Sequence, residues 1–135
     1  MSKIKVITLW QPWASLVANG YKQLETRSWK TDYIGPILIH SAKRWKVDQQ
    51  KFYEEHAKEF IGNNVPLGEI LAIGDLVGCM PTDMVSGIIT DRELLFGDYS
   101  LDRFVWVLNN VRVFNTPVPW KGRQGLWEVS LEDIV

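Results

Sequence analysis

Three ionisable side chains crowd one short stretch, Gly20-Tyr21-Lys22-Gln23-Leu24-Glu25-Thr26-Arg27. As a strand, this stretch turns Gln23, Glu25 and Arg27 to one face and Lys22, Leu24 and Thr26 to the other. Lys22 stands just before that strand, close to a helix end. A carboxylate flanked by two cations stays ionised and accepts a hydrogen bond from an amino group, while the cations meet phosphate or polarise a carbonyl. The same spacing also describes an ordinary surface ion pair that contributes little. On spacing alone the ion pair is the favoured reading.

Other residues extend the candidate set. Seven tryptophans occur in 135 residues, several of them beside charged or polar neighbours. Trp10 and Trp13 bracket Gln11-Pro12, and Trp29 precedes Lys30. Aromatic faces near cations suit the stacking of bases, although about half of the seven are expected in plain packing. Gln11 precedes a proline, is held extended, and is expected to keep its amide free for a ligand. His40 ends an apolar run and is followed by Ser41 and Lys43; a lone strand histidine is more often a satisfied core or rim residue than a catalyst. Glu93 lies on a polar excursion, where it is a general base or, on the sequence alone, a solvated carboxylate. No Gly-rich phosphate loop, serine elbow or CxxC is present. Two histidines and one cysteine offer no zinc-type ligand spacing, and no metal or cofactor is expected.

The elements that must hold these residues follow from periodicity. Residues 3–9 alternate and read as a strand. Pro12 suits a first helical turn, and Trp13, Leu16 and Val17 form an apolar stripe that Asn19-Gly20 ends. Gly35-Pro36 breaks the chain before a strand over 37–41. Residues 48–60 read as a helix with Asp48 as its N-cap. Residues 68–80 read as a strand buried on both sides. Residues 82–102 form a short helix and a loop, 104–114 a long apolar strand, and Pro117, Pro119 and Gly122 a loop before a closing strand over 126–131. Strands dominate without regular strand–helix alternation. The expectation is an α+β fold, a small β-barrel of five or six strands with two or three helices.

Length and composition suit one domain over residues 1–135, large enough for a core without disulfide or metal. No apolar run reaches membrane-spanning length and no signal-peptide pattern opens the chain, so a cytoplasmic, non-membrane protein is expected. The lone Cys79 has no intrachain partner. The net charge of −1 conceals an asymmetry: residues 1–46 carry eight Lys/Arg against Glu25 and Asp32. Such a division marks one face for an anion or merely leaves a mixed solvated surface.

Read together, Leu9-Trp10-Gln11-Pro12-Trp13-Ala14-Ser15-Leu16-Val17 and Gly20 to Trp29 resemble the signature of the ASCH (activating signal cointegrator homology) domain family, with a G-x-K-x-x-E-x-R core. The resemblance continues through Ile39 to Arg44, Glu93 with Phe96 to Ser100, Pro117 to Pro119, Lys121-Gly122 and Gly125 to Glu128. It covers nearly the whole chain and implies a PUA-like barrel with a cleft beside the first helix. The family is regarded as RNA- or nucleic-acid-binding. One branch is an amidohydrolase that deacylates acetylated cytidine through a G-x-K-x-x-T-x-R motif and a distal glutamate, and ribonuclease activity also occurs. Here Lys22 matches that branch, but Glu25 occupies its threonine position, and the adjacent Thr26 points the other way on a strand.

The expected function is an RNA-binding module for single-stranded RNA or a nucleotide. Lys22, Arg27 and Lys43 would meet phosphate, Trp10, Trp13 or Trp29 would stack a base, and Gln11, Glu25 and His40 would complete the site. The alternative is a small hydrolase acting on a modified nucleoside or RNA, with Lys22 stabilising an oxyanion and Glu25 or Glu93 as general base. Replacing Lys22 or Glu25 is then expected to abolish turnover and leave thermal stability nearly unchanged.

Overall fold

The computed structural model describes residues 2–134. Six strands, β1 (Lys3–Leu9), β2 (Leu24–Arg27), β3 (Gly35–Ser41), β4 (Glu69–Pro81), β5 (Phe104–Pro119) and β6 (Leu126–Ser130), form one sheet in the order β2-β5-β4-β3-β1-β6. The β1–β3 pair is parallel and the other pairings are antiparallel. Three α-helical units accompany the sheet, besides two 3-10 turns (Thr82–Val85 and Leu131–Asp133): α1 (Trp13–Ala18), a unit that runs from α2 (Val47–Phe52) through a π turn (Tyr53–Ala57) into α3 (Lys58–Ile61), and α4 (Asp91–Phe96). The α+β class and the strand count agree with expectation. The end strands β2 and β6 do not pair with each other, so the sheet is not closed by hydrogen bonds.

Strands β1 and β3 bury apolar side chains on both of their faces. Ile7 and Leu9, with Ile37 and Ile39, face one core that includes Ala14 and Val17 of α1 and Trp106 of β5. Ile4, Val6 and Leu38 face a second core with Ile70, Trp127 and Val129. Phe114, Val118 and Trp120, from the far half of β5 and just beyond it, pack against this second core. Irregularities between Ile70/Ala72, Ile73/Asp75 and Leu76/Gly78 interrupt the β4–β5 ladder. Such bulges bend a strand pair, which lets the long hairpin wrap the second face in a barrel-like manner. A third cluster joins Leu16 of α1 to Tyr53, Ala57 and Phe96.

Several local expectations are corrected. The strand over 68–80 is buried on both sides only at Ile70–Ala72, and Val77 is exposed. Pro117 and Pro119 belong to β5 rather than a loop: beyond Val107 the strand has lost β2 as a neighbour, so a missing N–H faces no partner. Asp48 is not the cap of α2; it lies in the first turn, 3.3 Å from Arg44, and the side chain of Gln49 accepts from the Lys46 N–H instead. No helix among the described residues is long and apolar enough to cross a membrane.

Candidate functional site

The C-terminus of α1 positions the motif. Gly20 takes a φ of +82°, and the N–H groups of Gly20 and Tyr21 donate to the carbonyls of Val17 and Leu16 at 3.1 and 2.9 Å. This is a Schellman motif, completed by Tyr21 packing in the cluster that contains Leu16. The Lys22 N–H also donates to Leu16 O, at 3.1 Å. That closure drives the Lys22 side chain inward, where it is 1% exposed. Its Nζ donates to the Leu24 carbonyl and, at 3.0 Å, to Glu25 Oε1.

Strand β2 then sets the other two residues. Glu25 Oε2 stands 3.4 Å from Arg27 Nε, and Arg27 Nη2 donates to the Thr8 carbonyl at 2.6 Å. The three charges therefore meet although strand parity separates Lys22 from Glu25 and Arg27, because Lys22 precedes the strand and reaches around its start. The surface ion-pair reading fails for Lys22, whose ammonium is enclosed. Glu25 and Arg27 line a cleft of about 530 Å³ with Trp10, Trp13 and Trp29, closed on the far side by Leu95, Phe96 and Gly97. Asp98 and Arg103, 3.5 Å apart, complete its charged wall.

The ASCH domain model matches residues 7–118, which include this motif, its cleft and the strands that carry them. The chain belongs to the ASCH family. It is 28% identical over 133 residues to human activating signal cointegrator 1 and 27% identical to the mouse protein. Each match covers 92% of this chain but 22% of the relative, so the chain spans about a fifth of those proteins. The crystal structure of an ASCH protein from Zymomonas mobilis shares the fold, with a TM-score of 0.60 at 12% identity over 96% of this chain and 90% of that one.

Within this ASCH fold the remaining candidates divide. Trp10 is 50% exposed at the cleft rim, with the Arg44 guanidinium 4.1 Å from its ring centroid. Trp29 packs edge-on against Trp106, and Trp13 stacks on Phe52, so both present only part of their surface. Gln11 is fully buried, and its amide is not free. Its Nε2 donates to Ser15 Oγ at 2.6 Å and Pro66 O at 2.8 Å, and its Oε1 accepts from the Ser15 N–H at 2.8 Å. The side chain opens α1 and ties it to the segment before β4, which is a structural duty.

His40 and Lys43 lie outside the cleft of Glu25. They line a second one, of about 960 Å³, with Trp120, Lys121 and Arg123, and Thr8 borders both clefts. His40 is buried and satisfied: Nε2 donates to Trp120 O at 2.7 Å, and Nδ1 lies 3.2 Å from Thr8 Oγ1. Burial pushes its pKa down, against the hydrogen bond to Trp120, which raises it.

Glu93 is not the solvated carboxylate expected from its polar surroundings. It is 8% exposed, its Oε2 accepts from the Gln23 N–H at 2.7 Å, and its Oε1 has no partner. Thr90 caps α4 by accepting from the Glu93 N–H, which turns the side chain toward the β2 approach. Tyr99, which the sequence did not single out, has a buried hydroxyl without a partner. Burial, then the charges of Glu93 and Glu25, push this phenol well above its usual range and keep it protonated. Thr26 Oγ1 is already engaged as acceptor from the Asp98 N–H, at 3.1 Å.

Proposed function

We propose that the chain is a nucleic-acid-binding module whose cleft seats one unpaired base of a single strand. The observation that carries this reading is the Glu25 carboxylate, fixed between Lys22 and Arg27 on the wall of a cleft rimmed by tryptophans. An ionised carboxylate held in place accepts hydrogen bonds from an exocyclic amino group, and the exposed face of Trp10 offers a stacking surface. Bases inside a duplex present no free face, so the ligand is single-stranded. Family membership agrees with RNA as the partner. Titration with short single-stranded and duplex RNAs, followed by tryptophan fluorescence, tests it. Saturable quenching by single strands and none by duplex is expected; equal response to both removes the reading.

A second reading, a hydrolase for a modified nucleoside or RNA, draws on one observation. Glu93 Oε1 and the Tyr99 hydroxyl are both buried without partners. Buried polar groups left unsatisfied are costly and are often those a substrate engages. In that reading Glu93 or Glu25 activates water and Lys22 steadies the developing oxyanion.

A further inference from the structure

The charges around the two clefts are distributed unequally. In the first, Glu25 is matched by Arg27 and Asp98 by Arg103, so the charges that line the wall balance and each guanidinium is ion-paired. Lys22, buried behind that wall, shares the same Glu25 and does not line the cleft. The second cleft carries Lys43, Lys121 and Arg123 against a single carboxylate, Glu69, and none of the four enters an ion pair among the described residues. A balanced aromatic cleft suits a base; an unpaired cationic one suits phosphate.

The basic cleft is also built rather than incidental. Its Lys121–Arg123 loop is anchored at Trp120, whose N–H donates to Gly68 O at 3.0 Å and whose carbonyl accepts from His40. Gly122 lies so close over His40 that a Cβ there would fall 2.7 Å from the imidazole Cε1. The loop is thereby seated on a buried, fully bonded side chain, and the cations project from a fixed base. Thr8 is shared by the two clefts: its carbonyl holds Arg27 in the first and its hydroxyl meets His40 in the second.

We infer that the second cleft binds the sugar-phosphate backbone of the strand whose base occupies the first, with Lys121, Arg123 and Lys43 as the phosphate ligands. This rests on the reading of the first cleft as a base site. It departs from the expectation that Lys22 and Arg27 meet phosphate. His40 acts as a positioning residue for the basic loop and does not touch the ligand.

The test compares nucleosides with single-stranded RNA of two, four and eight nucleotides, on the wild type and on a Lys121→Ala/Arg123→Ala double variant. Both side chains are exposed, so the fold should survive their loss. Wild-type affinity should rise at least about tenfold from nucleoside to tetranucleotide, and the double variant should lose that gain while keeping nucleoside affinity. The slope of log affinity against log salt should become shallower by about 1.4, from two lost contacts at roughly 0.7 each. A length gain that survives in the double variant overturns the inference and leaves the base site standing. Binding of neither nucleosides nor RNA removes the base site and the inference with it. Displacement of the octamer by inorganic phosphate at concentrations comparable to the protein assigns the basic cleft to a free anion, and equally overturns the strand reading.

Discussion

Lys22 Nζ lies 3.0 Å from Glu25 Oε1 with the lysine side chain 1% exposed, so the ammonium is part of the protein's interior. Its second bond, to the Leu24 carbonyl, closes the turn between α1 and β2. A lysine buried this way cannot be removed at constant stability, because Glu25 loses a counter-charge and the Leu24 carbonyl loses its donor, even though Glu25 keeps Arg27 as an ion-pair partner.

Lys22→Ala should destabilise the fold by about 3 kcal/mol, the lower end for breaking a buried pair. That corresponds to a fall in Tm of roughly 10 °C. Glu25→Gln should cost at least as much, about 3 kcal/mol, since it leaves the enclosed Lys22 ammonium beside Arg27 with no counter-charge. The sequence-based expectation of near-neutral stability is thereby replaced. Unchanged thermal denaturation of Lys22→Ala would show that the buried pair carries no weight.

Trp10 provides the opposite case. Half exposed, with Arg44 over its ring and belonging to none of the three core clusters, it contributes little to the cores, so Trp10→Ala should shift stability by no more than about 0.5 kcal/mol. If its free face stacks a base, single-strand affinity should fall by about 1–3 kcal/mol, or roughly five- to a hundred-and-fifty-fold. Isothermal titration of an octanucleotide reads this directly. Full affinity in the variant excludes Trp10 as the platform.

His40 predicts a pH dependence of stability. Its pKa is lowered in the folded state, so the unfolded chain takes the proton more readily. The full contribution is present above the ordinary value of 6.5 and is lost as pH falls from there toward the depressed folded value. Wild-type denaturant midpoints should decline below about pH 6.5, and His40→Gln should flatten that part of the curve. An identical slope in the variant assigns the dependence to other groups.

The sequence signalled these residues unequally, for physical reasons. Periodicity located the strands and the stop at Gly20, because burial and a positive φ leave direct marks on residue type. The meeting of Lys22 with Glu25 was hidden, since strand parity says nothing about a side chain that enters from the turn. Gln11 and Glu93 were misread for one reason: polar residues carry no mark of burial when their partners are backbone groups far along the chain, Pro66 in one case and Gln23 in the other. The division between clefts was equally hidden. Lys43 and Lys121 come together only through the β3–β4–β5 pairing.

Tyr99 gives a prediction in which removal of a polar group helps. Its buried hydroxyl has no partner, so Tyr99→Phe should raise stability by about 1 kcal/mol. If a ligand engages that hydroxyl, the same variant should bind more weakly while melting higher. A lower Tm would mean that the hydroxyl is bonded in solution.

The hydrolytic reading meets its test in acetylated cytidine. Glu25 stands where the amidohydrolase motif carries a threonine, and a carboxylate activates water but does not supply a hydroxyl nucleophile. Thr26, the neighbouring hydroxyl, is held by the Asp98 N–H and pairs in register with Val105 of β5. Neither residue reproduces a threonine poised beside Lys22. Purified protein should therefore release no acetate from acetylated cytidine over many enzyme equivalents. Because Lys22→Ala also destabilises the fold, the decisive control is Glu93→Gln, which keeps the hydrogen bond to the Gln23 N–H and removes only the charge. Multiple-turnover acetate release that vanishes in folded Glu93→Gln would overturn the binding-only reading and make Glu93 the general base.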